Sequence, residues 1–147
     1  MKARVSAYVT LWCNRVLLAA LIALLFAMPR LVCWYRDFRG LVPHSAEAIL
    51  IAFYCCAPVV FYALWCFDRL TSNILKDAVF VESNVRLIRR IRWCCATVSL
   101  ICLPASFFYL PLIFMVIILA FLALAVSVVK NVMAAAVALR EENDLTI

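Results

Sequence analysis

A single glycine stands in this 147-residue chain, at position 40, and a single histidine, at position 44. The first scarcity excludes collagen-like repeats, flexible Gly-rich linkers and Gly-rich phosphate loops, all of which need several glycines. The second leaves metal sites and histidine-based catalysis short of ligands and bases. Acid is sparse as well, with eight Asp and Glu against fourteen Lys and Arg and a formal net charge of +6. Glu47, at the very start of one, is the only carboxylate within the long apolar runs described below, although proton-coupled transport ordinarily uses an ionisable group deep within the membrane. No Ser-His-Asp set, His-Glu-x-x-His helix or P-loop is written in the chain. No acidic dyad suited to intramembrane hydrolysis is present either. The chain is therefore expected to be non-enzymatic and to use no cofactor and no metal.

Eight cysteines are present, but none forms a Cys-x-x-Cys motif. Cys55-Cys56 and Cys94-Cys95 are adjacent pairs on expected helices. Neighbouring helical residues point about 100° apart, so such a pair is poorly placed to offer two ligands to one metal. Cys33 alone lies near the expected outer side, which argues against a thiol oxidase with paired outer cysteines. The simpler reading is that cysteine serves here as a small apolar residue. His44, alone in a loop, reads as a solvated or capping residue.

What the chain has in abundance is apolar surface: 69% of residues are hydrophobic and the mean hydropathy is +1.10. An average soluble domain is roughly 45–50% apolar, and a chain this small cannot hide such a surplus from water. A membrane-spanning helix needs about 20 mostly apolar residues, and four runs qualify, over about residues 16–35, 46–67, 93–109 and 112–129. None alternates polar with apolar residues as barrel strands do. The expectation is one all-α integral membrane domain over residues 1–147, an antiparallel bundle of four transmembrane helices. Residues 68–92 form a cytoplasmic loop and residues 130–147 a cytoplasmic tail, with helices 2–4 extended beyond the membrane. The start of the chain mimics a signal peptide, with Lys2 and Arg4 before an apolar stretch. No small-x-small site follows, so the first helix is expected to be retained.

Charge orients the spans. With the N-terminus inside, the inner segments hold Lys2, Arg4, Arg15, Arg69, Lys76, Arg86, Arg89, Arg90, Arg92, Lys130 and Arg140, 11 of the 14 basic residues. Only Arg30, Arg36 and Arg39 remain outside. The positive-inside rule then puts both termini in the cytoplasm. The localisation expected is a bacterial cytoplasmic membrane, and the net positive charge is assigned to topology and to anionic lipid, with no nucleic-acid binding. Aromatic residues agree: Trp12, Trp65 and Trp93 fall near the inner interface, and Trp34, Tyr35, Phe107, Phe108 and Tyr109 near the outer one.

Local patterns refine this picture. Residues 1–15 read as a short interfacial helix, with Arg15 reaching back to the headgroups. Ala19, Ala23 and Ala27 recur every fourth residue, as do Ala123, Ser127, Asn131 and Ala135, and both stripes are expected to pack against other helices. Pro29 and Pro58 are expected to bend their helices, and the carbonyl freed by Pro58 to find a hydroxyl. Ser45, with Glu47 nearby, reads as a helix cap. The turn at Tyr109-Leu110-Pro111 is short enough to make the last two helices direct neighbours. Residues 84–93 read as a basic helix capped by Asn84, displaying Arg86, Arg89 and Arg90. The acidic tail residues Glu141, Glu142 and Asp144 are expected to pair with these arginines, latching the cytoplasmic end.

Two segments together carry a resemblance. One is Phe80-Val81-Glu82-Ser83-Asn84-Val85-Arg86-Leu87-Ile88-Arg89-Arg90-Ile91, and the other is the tail Leu139-Arg140-Glu141-Glu142-Asn143-Asp144-Leu145-Thr146-Ile147. With four spans and a basic start, they resemble the bacterial membrane family catalogued as domain of unknown function 2975. The tail is the specific part; Ala136 stands where that family often has glycine. The resemblance implies a four-helix integral membrane protein without an established activity. It also implies a small helix-turn-helix regulator as candidate partner, because members are often encoded beside one. The expected function is a regulatory or sensory membrane protein that binds a cytoplasmic protein. The interaction residues are expected to be Phe80, Asn84, Arg86, Arg89, Arg90, Glu141, Glu142, Asn143 and Asp144, and a homo-oligomer is compatible with the pattern. The alternative is a small transporter or a lipid- or small-molecule-binding membrane protein.

Overall fold

The structure, a computed structural model, describes residues 2–40, 43–76 and 81–146, and the side chains among these except at 2–7, 43 and 144. Among the described residues the regular structure is entirely helical. Four helices follow one another: α1 (Lys2–Arg39), α2 (Pro43–Leu75), α3 (Glu82–Phe108) and α4 (Leu112–Leu145). Each is long and apolar enough to cross a membrane. All four outrun the apolar spans read from the sequence; in α4, strong helix formers such as Ala134, Ala135, Ala136 and Ala138 continue the helix beyond the apolar run. The opening residues form no separate interfacial helix, since α1 runs unbroken from Lys2. It ends where Gly40 takes a left-handed conformation, φ +61°. That is the usual task of a glycine just past a helix C-terminus, and it explains the position of the one glycine. The short turn Tyr109–Pro111 then delivers the chain directly into α4.

The helices pack only on their neighbours in sequence. Among the described residues α1 contacts α2, α2 contacts α3, α3 contacts α4, and no other helix pair meets. The array is thus open, each helix packed on its neighbours in chain order. Interhelical bonds give the direction of each pairing. The Asn14 side-chain N–H donates to the Leu64 carbonyl at 3.1 Å, and the Tyr54 hydroxyl to the Leu25 carbonyl at 2.9 Å. Ascending residues of α1 therefore face descending residues of α2. The same order holds across α2 and α3, where Asn73 meets Asn84 and Cys56 meets Cys102. It holds again across α3 and α4, where Arg92 meets Ser127 and Ser99 meets Val116. The small central core consists of Cys56, Val98 and Cys102, flanked by Val59, Ile101, Val116 and Leu119.

Because α1 and α4 each have one partner, the less exposed face of each is its seam. On α1 this face is Leu11, Asn14, Leu18, Leu21, Leu25, Met28, Val32 and Tyr35. On α4 it is Leu112, Val116, Leu119, Ala123, Val126, Lys130, Met133 and Val137. Both advance by alternating steps of three and four residues, the seven-residue repeat that keeps one helix against another along its length. The alanine stripes are corrected by this finding. Ala19 and Ala23 are exposed, as are Asn131 and Ala135, while Ala27, Ala123 and Ser127 are half-buried. Steps of four alone advance about 40° per repeat around the helix and wind off the seam, whereas alternating three and four returns to it.

Pro29, Pro58 and Pro104 all lie inside continuous helices. Proline lacks the N–H that would bond the carbonyl four residues earlier. For Pro29 that carbonyl belongs to Leu25, and the Tyr54 hydroxyl supplies the missing donor. The hydroxyl remedy expected near Pro58 is thus found at Pro29. Ser45 likewise makes a different bond from the cap expected of it, donating from Oγ to the Phe108 carbonyl at 3.0 Å and tying α2 to the end of α3.

Candidate functional site

The arginines concentrate where α2 ends and α3 begins. Here Asn73 donates to the Asn84 side-chain oxygen at 2.8 Å, and Asn84 is completely buried. Its position differs from the expected cap. The helix starts at Glu82, its N-cap is Val81, and Asn84 sits inside the first turn, bonded across to α2. Such a pair fixes the register of α2 against α3, since a one-residue slip would break the bond between the half-buried Asn73 amide and the fully buried Asn84.

Register then decides which charges lie together. A cleft of about 300 Å³ opens between α2 and α3, lined by Trp65, Arg69, Asn73, Ser83, Arg86, Leu87 and Arg90. Arg69 stacks over the Trp65 ring with its guanidinium carbon 5.4 Å from the centroid. Arg86 lies 4.0 Å from Glu82, one turn earlier on an exposed face. Arg89 is exposed and does not line the cleft. Of the residues expected to interact, the structure therefore brings Arg86 and Arg90 together, beside the Asn84 bond, and turns Arg89 away. Arg69, Asn73, Trp65 and Ser83 are not among the interaction residues expected from the sequence. Counting outward from the point where α2 gives way to α3 could have found them, because residues equally distant from it fall opposite one another.

The acidic tail sits elsewhere. Glu141, Glu142 and Asn143 are exposed on the last turns of α4, and neither glutamate pairs with an arginine among the described residues. Phe80 and the Asp144 side chain lie outside the described residues. Register again gives the reason. Arg92 lies opposite Ser127, so Arg86, six places earlier, falls opposite Met133, six places later. Glu141 is eight residues further on, about 12 Å of helix, past the level of Arg86.

Two further polar contacts mark the ends of the array. Near the arginine-rich end, Arg15 Nε lies 3.8 Å from Asp68 Oδ1, a buried oxygen with no hydrogen-bond partner among the described residues. Their contact is an ion pair without a hydrogen bond. At the opposite end, in the turn beyond α3, the Tyr109 hydroxyl lies 2.6 Å from that of Tyr35, with the two rings edge to face. That hydrogen bond, with some desolvation, raises the Tyr109 phenol above its ordinary value. The contact is thus intact at neutral pH and is lost only as pH rises through the raised value.

All eight cysteines are free thiols. Within each adjacent pair burial differs: Cys55 is exposed and Cys56 buried, Cys95 is half-buried and Cys94 buried. Across the α2–α3 seam Cys56 Sγ and Cys102 Sγ approach to 3.8 Å within the apolar core. Among the described residues no group of three His, Cys, Asp or Glu side chains is placed to hold a metal ion.

The family described as "Protein of unknown function (DUF2975)" matches residues 3–147. The chain belongs to this family. The resemblance read from the arginine segment and the tail thus extends over nearly the whole sequence. No curated protein and no solved structure matches the chain. Family membership and four apolar helices together describe a membrane protein of unknown function.

Proposed function

We propose that this DUF2975 member is a non-enzymatic, antiparallel four-span protein of a bacterial cytoplasmic membrane. Both termini and the extensions of α2, α3 and α4 face the cytoplasm. The arginine-rich end docks a cytoplasmic protein, a small helix-turn-helix regulator being the candidate that the family resemblance offers. Such a protein would hold its partner at the membrane and release it on a signal sensed there. The observation that carries the reading is the state of the charges at one end. Arg89, Arg90, Glu141 and Glu142 are exposed, and none of them is ion-paired among the described residues. Both signs are therefore displayed toward the same end of the array, at different levels, without neutralising each other, and exposed unpaired charges set docking specificity and association rate.

Affinity capture from native membranes tests this with three proteins: the full chain, a chain lacking residues 139–147, and an Arg86→Gln, Arg89→Gln, Arg90→Gln triple variant. The full chain is expected to retain a helix-turn-helix protein that both variants lose. Identical captures from all three would overturn the reading.

A second reading has one observation in its favour. A largely apolar cleft of about 670 Å³ opens at the other end of the α2–α3 seam, lined by residues including His44, Ile51, Cys55, Pro104 and Phe108. It suits a small transporter or a protein that binds a lipid or small molecule. Ligand-dependent protection of Cys55 from a thiol reagent would favour that reading over partner docking.

A further inference from the structure

The arginine cleft has the composition of an anion site. None of the residues lining it is acidic, three are arginines, and Asn73 and Ser83 add neutral donors. Arg69 and Arg90 have no carboxylate partner among the described residues, and the single acid near Arg86 is held at 4.0 Å on an exposed face. Guanidinium forks match phosphate oxygens in pairs, which a lysine cluster would not do. Trp65 and Trp93 stand at the same level, as amphipathic rings do at headgroup depth.

A second cleft adjoins the first. It holds about 420 Å³ and is lined by Pro58, Val59, Tyr62, Arg90, Trp93, Cys94 and Thr97. Arg90 is common to both clefts. From Arg90 to Thr97 the apolar cleft follows α3 for about 10 Å. A charged pocket and an apolar groove joined at one arginine have the amphiphilic shape of a phospholipid, with room for a head at one end and a chain along the other. A free phosphate would leave the groove empty. A zwitterionic head would bring its own cation up against three arginines.

We propose that the α2–α3 clefts form a binding site for one anionic phospholipid, its phosphate held by Arg69, Arg86 and Arg90 and an acyl chain laid beside Val59, Tyr62 and Trp93. This rests on the four helices spanning a membrane, and not on the partner reading. A bound lipid of this kind would brace α2 against α3 at the same end that carries Arg89 and the tail.

The test uses the full chain, purified in detergent and delipidated, then offered phosphatidylglycerol or phosphatidylcholine and read by native mass spectrometry. One phosphatidylglycerol is expected to be retained, favoured over phosphatidylcholine by roughly tenfold or more. Arg69→Gln with Arg90→Gln should abolish that preference. Lys76→Gln with Arg140→Gln removes the same charge from exposed positions off the cleft and should leave the preference within about twofold. Equal loss in both double variants would mean a diffuse field and would overturn the site, as would equal retention of the two lipids by the unaltered chain. Glycerol phosphate, which carries a head and no chain, should not bind where the lipid saturates; equal binding would overturn the lipid assignment. If the glutamine variant does not fold, Arg69→Lys with Arg90→Lys keeps the charge but removes the forks, and should retain severalfold less phosphatidylglycerol while still favouring it over phosphatidylcholine. Undiminished retention of phosphatidylglycerol there would also overturn the proposal.

Discussion

Replacing Tyr54 with phenylalanine is expected to destabilise the α1–α2 pair by about 1–3 kcal/mol. That is a large effect for one oxygen at a partly exposed position, and the reason is local. Pro29 removes the N–H that would serve the Leu25 carbonyl, and the Tyr54 hydroxyl takes its place at 2.9 Å. In the hydrocarbon no water can replace that hydroxyl, so its loss leaves a backbone acceptor unsatisfied. The prediction becomes sharper as a cycle. In a Pro29→Ala background the restored backbone N–H bonds Leu25 within α1, and Tyr54→Phe should then cost less than about 0.5 kcal/mol. Reversible unfolding in mixed micelles, followed by tryptophan fluorescence, measures both costs. Equal costs in the two backgrounds would mean that Tyr54 does not stand in for the missing donor.

Asn84→Leu is the second large change, expected to cost about 1–2 kcal/mol even against an unfolded state that stays in the membrane. The substitution leaves the half-buried Asn73 amide without its 2.8 Å acceptor, the side chain of the fully buried Asn84. Changing Asn73 to leucine as well removes both polar groups together, and such paired replacement can be nearly neutral. The double variant should therefore be more stable than the sum of the single costs predicts, when all are measured in the same micelle assay. Strict additivity would show that the two amides act independently. The double variant should also lose register specificity, because leucine seams tolerate slippage that an asparagine pair penalises.

How much of this was legible beforehand depends on what each feature requires. The four helices could be read from the apolar runs, because span length is set by the bilayer and needs no tertiary knowledge. The continuation of α4 past Lys130 could be read from helix propensity. The seams were misread. Alanine at every fourth residue suggested two packing faces, yet Ala19, Ala23, Asn131 and Ala135 face away from the neighbouring helices. The true seams are mostly Leu, Val and Met at three–four spacing, with Asn14 and Lys130 among them. In a chain 69% hydrophobic that repeat does not stand out from its background.

Features joining two helices were the least legible, since each depends on register. Tyr54 and Pro29 are unrelated in sequence until α1 and α2 are aligned. The acidic tail looked complementary to the arginines in composition, and it overshoots Arg86 because α4 outlasts the start of α3. Arg69 looked like one topological charge among many until the Asn73–Asn84 bond set it beside Arg86 and Arg90. Charge content was thus readable, while charge adjacency was not.

Docking of a cytoplasmic partner requires the arginine-rich end to face the cytoplasm. Reporter fusions measure this directly, using a phosphatase active only outside the cytoplasm and a fluorescent protein that matures only inside. Each reporter is placed in turn after Gly40, after Lys76, after Leu110 and after Ile147. The proposed topology predicts fluorescence after Lys76 and Ile147, with phosphatase activity after Gly40 and Leu110. The reverse pattern, or the same reporter active at all four positions, would contradict it.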